Sequence, residues 1–208
     1  MNRRRFIWQE AEMQSGLPSS YTAVDYLQSS GEQWIEMGVA PNQNTKAVLK
    51  IKIDELTSQG ASLIGSRTDV NSDDQFTTYL DYYGGTRFLF RMDGQPEAIP
   101  WKGLTTDKIY TVTLSGTEMK AELEDGTAVF SKTFSVSDFE STVTMALFKS
   151  KPLDNGFRGR IYSCKHYSGD ELIQDFVPCL DTGGVPCMFD LVSRKSFYNK
   201  GTGSFTWG

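Results

Sequence analysis

Hydrophobic and polar residues alternate along most of the chain from Tyr21 onward. The clearest stretch is residues 46–54, where Ala47, Leu49, Ile51 and Ile53 alternate with Val48, Lys50 and Lys52. A period of two puts the aliphatic side chains on one face of a strand and the lysines on the other. Residues 109–114 and 119–123 predict a hairpin about Ser115, Gly116 and Thr117. In its second strand Met119, Ala121 and Leu123 should face inward, and Lys120, Glu122 and Glu124 should face water. A turn at Asp125 and Gly126 then leads into a strand over residues 128–132. Residues 75–83 and 86–92 flank Gly84 and Gly85, which suit a tight turn with positive φ, so these strands should pair across it. Residues 157–167 and 171–179 predict a further hairpin about Gly169 and Asp170. Shorter strands fit residues 33–37, 62–66, 142–148, 188–192 and 204–207, and one helical turn fits 136–140.

Many short strands without strand–helix alternation predict an all-β sandwich or barrel. The 208 residues suit one such domain, since sandwiches run undivided to ~200–250 residues. Residues 1–20 read as an arm, with a short helix expected over 6–14 and with Gly16, Pro18, Ser19 and Ser20 breaking regular structure. The domain proper is expected over residues 21–208.

A formal net charge of −5 argues against nucleic acid as a partner, because displacing counterions from phosphates takes a concentrated basic surface. The dense basic run is confined to Arg3, Arg4 and Arg5. No apolar run approaches the ~18 residues that span a bilayer, so membrane insertion is not expected. Phe6, Ile7 and Trp8 are followed at once by Gln9, Glu10 and Glu12. That leaves no apolar core for a secretory signal peptide. An odd count of cysteines, Cys164, Cys179 and Cys187, argues against a dedicated disulfide framework. Cys179 and Cys187 flank a short loop and could pair. The alternative is that all three are small buried apolar groups.

Two blocks carry more than a pattern. The first is Leu17, Pro18 and Tyr21, then Val24 to Gly31, then Gln33, Trp34, Ile35, Gly38 and Val39. The second runs through Gly159 to Lys165, Asp175 to Cys179, and Phe189 to Val192. It closes on Phe197, Tyr198, Asn199, Gly201, Thr202, Gly203 and Phe205. Together they resemble the concanavalin A-like (laminin G-like) domains of tail, fibre and baseplate proteins from phages and prophages of gut bacteria. The likeness covers residues 17–208, with the middle, about 58–151, matching only in strand pattern. It implies a concanavalin A-like jelly-roll β-sandwich of two antiparallel sheets. It also implies glycan recognition or a part in building a virion surface, although the fold hosts glucanases too.

The chemistry of catalysis is thinly represented. A nucleophile needs an oriented base, and His166 is the one histidine. It is expected on a strand face with Tyr162 and Cys164, as a satisfied, partly buried side chain. Glycoside hydrolysis needs two carboxyl groups set ~5–10 Å apart. Glu122 and Glu124 come nearest but read as a solvated strand face. Calcium needs clustered oxygen ligands. Asp69, Asn71, Asp73 and Asp74 offer them in one polar loop, which turn chemistry also explains. Glycan binding needs aromatic rings for sugar faces and polar groups for hydroxyls. With a two-residue turn at Gly84 and Gly85, Tyr82 falls across from Arg87 and Leu80 from Leu89. Tyr82, Arg87 and Arg91 then share one face, and Phe88, Phe90 and Met92 share the core face with Tyr79 and Tyr83. Trp101 is expected as an exposed aromatic near a rim, or alternatively as a packed one.

The expectation is therefore a non-catalytic, lectin-like domain of a phage or prophage virion protein that contacts bacterial surface glycans. A purely structural virion subunit and a glycan-cleaving enzyme are the other readings. No cofactor is required, and calcium is the one candidate. The expected partners are glycans, other virion proteins and sister chains of a homo-oligomer, and the expected location is the virion, outside the host after lysis.

Overall fold

A computed structural model describes residues 16–56, 60–67, 75–81, 87–92, 99–150 and 155–208. Seventeen strands and no helix lie among them. The first eight are β1 (Thr22–Ala23), β2 (Leu27–Ser30), β3 (Ile35–Glu36), β4 (Thr45–Ile53), β5 (Ile64–Arg67), β6 (Gln75–Asp81), β7 (Arg87–Met92) and β8 (Ile99–Lys102). They are followed by β9 (Ile109–Ser115), β10 (Glu118–Leu123), β11 (Ala128–Thr133), β12 (Ala146–Leu147), β13 (Arg158–Ser168), β14 (Glu171–Leu180), β15 (Pro186–Asp190), β16 (Lys195–Tyr198) and β17 (Thr206–Trp207).

The larger sheet runs β11-β10-β9-β4-β13-β14-β15-β16, and the smaller runs β3-β12-β5-β6-β7-β8. Neighbouring strands in both sheets are antiparallel. The chain is thus an all-β, jelly-roll sandwich. The long strand β13 organises the larger sheet. One of its edges pairs with β4 along nearly its whole length. Its other edge is shared, with β2 on the first part and β14 on the last. β17 then adds to β2, and β1 to β14.

The core lies between the sheets. On β4 Ala47, Leu49, Ile51 and Ile53 are fully buried, as are Val112, Leu114, Met119 and Ala121 on the neighbouring hairpin. The smaller sheet answers with Ile64, Phe76, Leu80, Phe88, Phe90 and Met92. Each large side chain buried in this way stabilises the fold by ~1.5–3 kcal/mol. The hairpins about residues 116–117 and 169–170 form as their alternation predicts, with Ser115 next to Glu118 and Ser168 next to Glu171 across the turns.

Two expectations fail. Residues 136–140 do not form a helical turn. Phe134 and Val136, two apart, both pack on the core, and Glu140 bridges to Asn42, so the segment runs extended. The expected helix over 6–14 lies outside the described residues. Tyr162 does not share a face with Cys164 and His166. The register of β13 against β4 shifts between Ile161 and Ser163. This bulge turns Tyr162 outward while Cys164 and His166 stay buried.

The segment ahead of β1 belongs to the packed structure from Gly16 on. Leu17 and Tyr21 cover a second apolar cluster, Val177, Cys179, Cys187 and Phe189, on the outer side of β14 and β15. The Tyr21 and Phe189 rings lie 5.2 Å apart, and Tyr21 Oη shares a 2.9 Å hydrogen bond with Ser196 Oγ.

Candidate functional site: the outward trough of the smaller sheet

The β6–β7 hairpin pairs Phe76 with Met92, Thr78 with Phe90 and Leu80 with Phe88. All of these face the core. The other parity therefore faces outward, and it includes Thr77, Tyr79 and Arg91. Gly84 and Gly85, the expected turn, lie outside the described residues, and within them β6 and β7 pair as far as Asp81 with Arg87. The pairing is shifted by one residue from the expected one. A one-residue slip moves a strand's side chains to the opposite face, so Tyr79 lies outward and not in the core. Arg87 pairs with Asp81 on one side and Lys102 on the other. Tyr82 and Tyr83 lie outside the described residues.

A file of residues crosses the smaller sheet on this outward side. Glu36 pairs with Ala146, Ala146 with Gly65, Gly65 with Thr77, and Thr77 with Arg91. With neighbouring strands ~4.8 Å apart, the file spans roughly 19 Å. Its middle is small and its ends are charged. Ala146 and Thr77 are fully buried, whereas Glu36, Arg91 and the adjacent Tyr79 are half-buried. This outward file, or trough, has a fully buried floor of Ala, Gly and Thr, a carboxylate at one end and a guanidinium at the other.

Gly65 is required at the floor. Its φ is +137°, a region that side-chain-bearing residues avoid. A Cβ there would collide with the Phe76 carbonyl oxygen and would come within 2.8 Å of Thr77 Cα. The floor is braced from behind by buried hydroxyls. Thr78 Oγ1 accepts from the Leu63 and Ile64 backbone N–H groups at 3.0 and 3.1 Å and donates to Ile64 O at 3.0 Å. Ser150 Oγ donates to the same carbonyl at 2.9 Å and hydrogen-bonds Ser62 Oγ. These bonds absorb an irregularity. Ala61 pairs with Leu80 and Gly65 with Thr77, so the β5 side advances four residues where β6 advances three.

Two nearby hydroxyls, Ser66 Oγ and Thr77 Oγ1, are buried with no hydrogen-bond partner among the described residues. Ser66 pairs with Phe76 and so faces the core. Thr77 faces the trough. A buried hydroxyl without a partner costs about 1–3 kcal/mol. Such a group calls for an explanation.

Trp101 is not an exposed rim residue. It is 3% exposed and sits in an aromatic nest, 5.1 Å from Tyr110, 6.0 Å from Phe130 and 6.3 Å from Phe88 between ring centroids. Trp101 pairs with Phe88, so the same register that fixes the hairpin turns it into the core. Asp69, Asn71, Asp73 and Asp74, the expected calcium ligands, lie outside the described residues. Among the described residues no cluster of three His, Cys, Asp or Glu side chains could hold a metal.

The outer face of the larger sheet gathers rings and charges that sequence reasoning missed, because it put Tyr162 on the face of Cys164 and His166. Tyr26 and Tyr162 meet edge to face at 5.4 Å. Arg160 lies over the Tyr26 ring at 4.7 Å and Lys50 over the Tyr162 ring at 5.5 Å. Asp54 ties Arg160 (3.2 Å) to Gln28 (2.8 Å). Each of these rings already carries a cation. Glu122 and Glu124 are engaged by Lys120 and Lys50, each at 2.8 Å. His166 is 1% exposed, with Nδ1 3.0 Å from Gln174 Oε1. Burial pushes its pKa down, partly opposed by that bond. None of these groups is arranged as a nucleophile with an oriented base. No helix of the described residues is long and apolar enough to cross a membrane.

No protein-family model matches the chain, and no curated protein sequence matches it. Solved structures do. A proposed carbohydrate binding protein from Bacteroides ovatus ATCC 8483 superposes with a TM-score of 0.59 at 13% identity. That match covers 89% of this chain and 60% of the other, so this chain spans less than two thirds of that one. The carbohydrate binding module CBM66 from Bacillus subtilis overlaps at a TM-score of 0.34 and 16% identity, over 65% of this chain and 80% of that one. The second overlap is too loose to bear on the fold. The first establishes the class: this chain is a β-sandwich with the fold of that Bacteroides protein.

Proposed function

We propose that the chain is a non-catalytic, lectin-like module of a phage or prophage virion protein that binds bacterial surface glycans in the trough of the smaller sheet. The observation that carries the reading is Thr77. Its hydroxyl is buried with no hydrogen-bond partner among the described residues, and it lies in a file that ends on Glu36 and Arg91 with Tyr79 alongside. A sugar presents hydroxyls and a flat apolar face together. A trough floored by small residues, with polar groups at its ends and a ring beside it, suits both. The fold shared with the Bacteroides protein, itself described as carbohydrate binding, supports the class. The resemblance of the two terminal blocks to phage tail, fibre and baseplate domains supports the virion setting. Other virion proteins and sister chains are then its assembly partners.

The test is binding of the purified chain to a broad bacterial glycan array, with Thr77→Val, Tyr79→Ala and Arg91→Ala beside the wild type. Specific binding that is weakened in all three supports the reading. Binding that survives in all three moves the site off the trough. An array without any specific binding favours a structural virion subunit instead.

A further inference from the structure

Cys179 and Cys187 are direct partners on β14 and β15. Their sulfurs lie 3.5 Å apart, and both residues are fully buried. Opposed residues of an antiparallel pair have Cα atoms ~4.5–5.5 Å apart, inside the range that a disulfide bridges. Closing the bond takes about 1.5 Å of sulfur movement, within reach of side-chain rotation alone.

The backbone that presents the two thiols cannot slip. At one end Asp181 N–H donates to Val185 O at 3.0 Å. The Asp181 carboxylate accepts from Gly183 N–H at 2.8 Å and Val185 N–H at 2.9 Å. At the other end buried Asp190 accepts from Asp175 N–H at 2.7 Å, Val192 N–H at 3.1 Å and Ser193 N–H at 3.1 Å. Both turns therefore hold Cys179 opposite Cys187. The third thiol, Cys164, lies on β13 in the main core, whereas this pair lies in the second cluster under Leu17, Tyr21 and Leu191.

We propose that Cys179 and Cys187 form a reversible disulfide staple across the β14–β15 hairpin when the chain folds in the presence of a disulfide oxidant such as oxidised glutathione, while Cys164 stays reduced. One protein thiolate attacks the oxidant, forming a mixed disulfide and releasing one glutathione thiolate. The second protein thiolate then attacks the mixed disulfide and releases the other. Two S–H bonds are lost, one protein S–S bond forms, two protons pass to solvent, and the oxidant takes up two electrons as its own S–S bond breaks. The hydrogen bond between the two thiols means that loss of one proton leaves a thiolate stabilised by the other S–H, so the two act as a pair. Because Ala23 pairs with Cys179, the staple also rigidifies the strand on which the N-terminal segment is seated. In an oxidising extracellular setting the seat would be locked, and in a reducing cell it would stay open.

The experiment is refolding of the full chain in glutathione buffers of graded oxidant ratio, followed by acid quench, alkylation and peptide mass mapping. The expected result is a two-hydrogen mass loss confined to the Cys179 and Cys187 peptides. Half-oxidation should fall at an oxidant ratio at least about tenfold lower than for the same chain held unfolded in urea. Dithiothreitol should reverse it. Cys164→Ala should behave the same, and Cys187→Ser should show no intramolecular bond. Equal oxidation ratios for folded and unfolded chain, a cross-link to Cys164, or glutathione adducts without an internal bond would each overturn the proposal.

Discussion

Leu80 lies directly across from Phe88, and that pairing decides what the β6–β7 hairpin shows to solvent. It sends Phe88, Phe90 and Met92 into the core beside Phe76 and leaves Tyr79 and Arg91 on the outer side. The trough exists because of this register.

Thr77→Val separates ligand binding from folding. Valine keeps the shape and removes a hydroxyl that has no partner among the described residues. Stability should stay level or rise by up to about 1 kcal/mol, read from urea unfolding. Glycan affinity should fall by about fivefold to tenfold, the scale of one lost hydrogen bond. A stability loss beyond that scale would mean that the hydroxyl is satisfied within the fold.

Gly65→Ala attacks the floor through the backbone. The left-handed φ and the collision with Phe76 O should lower stability by about 3 kcal/mol or more. Thermal melting would detect this, and a variant that melts like the wild type would contradict the floor geometry.

Trp101→Ala should behave as a core truncation. Removing the ring from its contacts with Phe88, Tyr110 and Phe130 should cost about 3–5 kcal/mol. Whatever glycan binding the folded fraction shows should keep its wild-type affinity, because the indole is buried away from the trough. Isothermal titration at a temperature where the variant is folded checks the second half.

His166 gives the fold an acid-sensitive element. Burial holds its folded pKa below the usual value of 6.5, so the unfolded chain takes up a proton that the folded chain refuses. The stability it contributes is complete above the unfolded pKa and is lost as pH falls. Urea unfolding should show stability declining as pH falls below about 6.5, by at most about 1.4 kcal/mol per pH unit. His166→Gln should flatten that window, and an unchanged slope in the variant would assign the decline to other groups.

Individual strands were readable because their signal is local. β4 shows its buried face in four alternating aliphatics, and β9 and β10 show theirs in the same way on either side of Gly116. The class of fold follows from many such strands in succession without helices between them. Arg91 was rightly placed on the solvent side of its strand. Tyr79 was not, because its face depends on the length of a connection and not on its own neighbours.

Period-two alternation therefore specifies which elements form and which residues within one strand share a face, since both depend on side chains two positions apart. It says nothing of how one strand is aligned against the next. The Leu80–Phe88 register, the bulge that turns Tyr162 outward, the burial of Trp101 and the meeting of Cys179 with Cys187 all depend on contacts between strands. So does the trough, whose residues Glu36, Ala146, Gly65, Thr77 and Arg91 come from five strands scattered through the chain. Only packing of the two sheets selects among registers that the alternation alone leaves equal, because each register buries a different set of side chains.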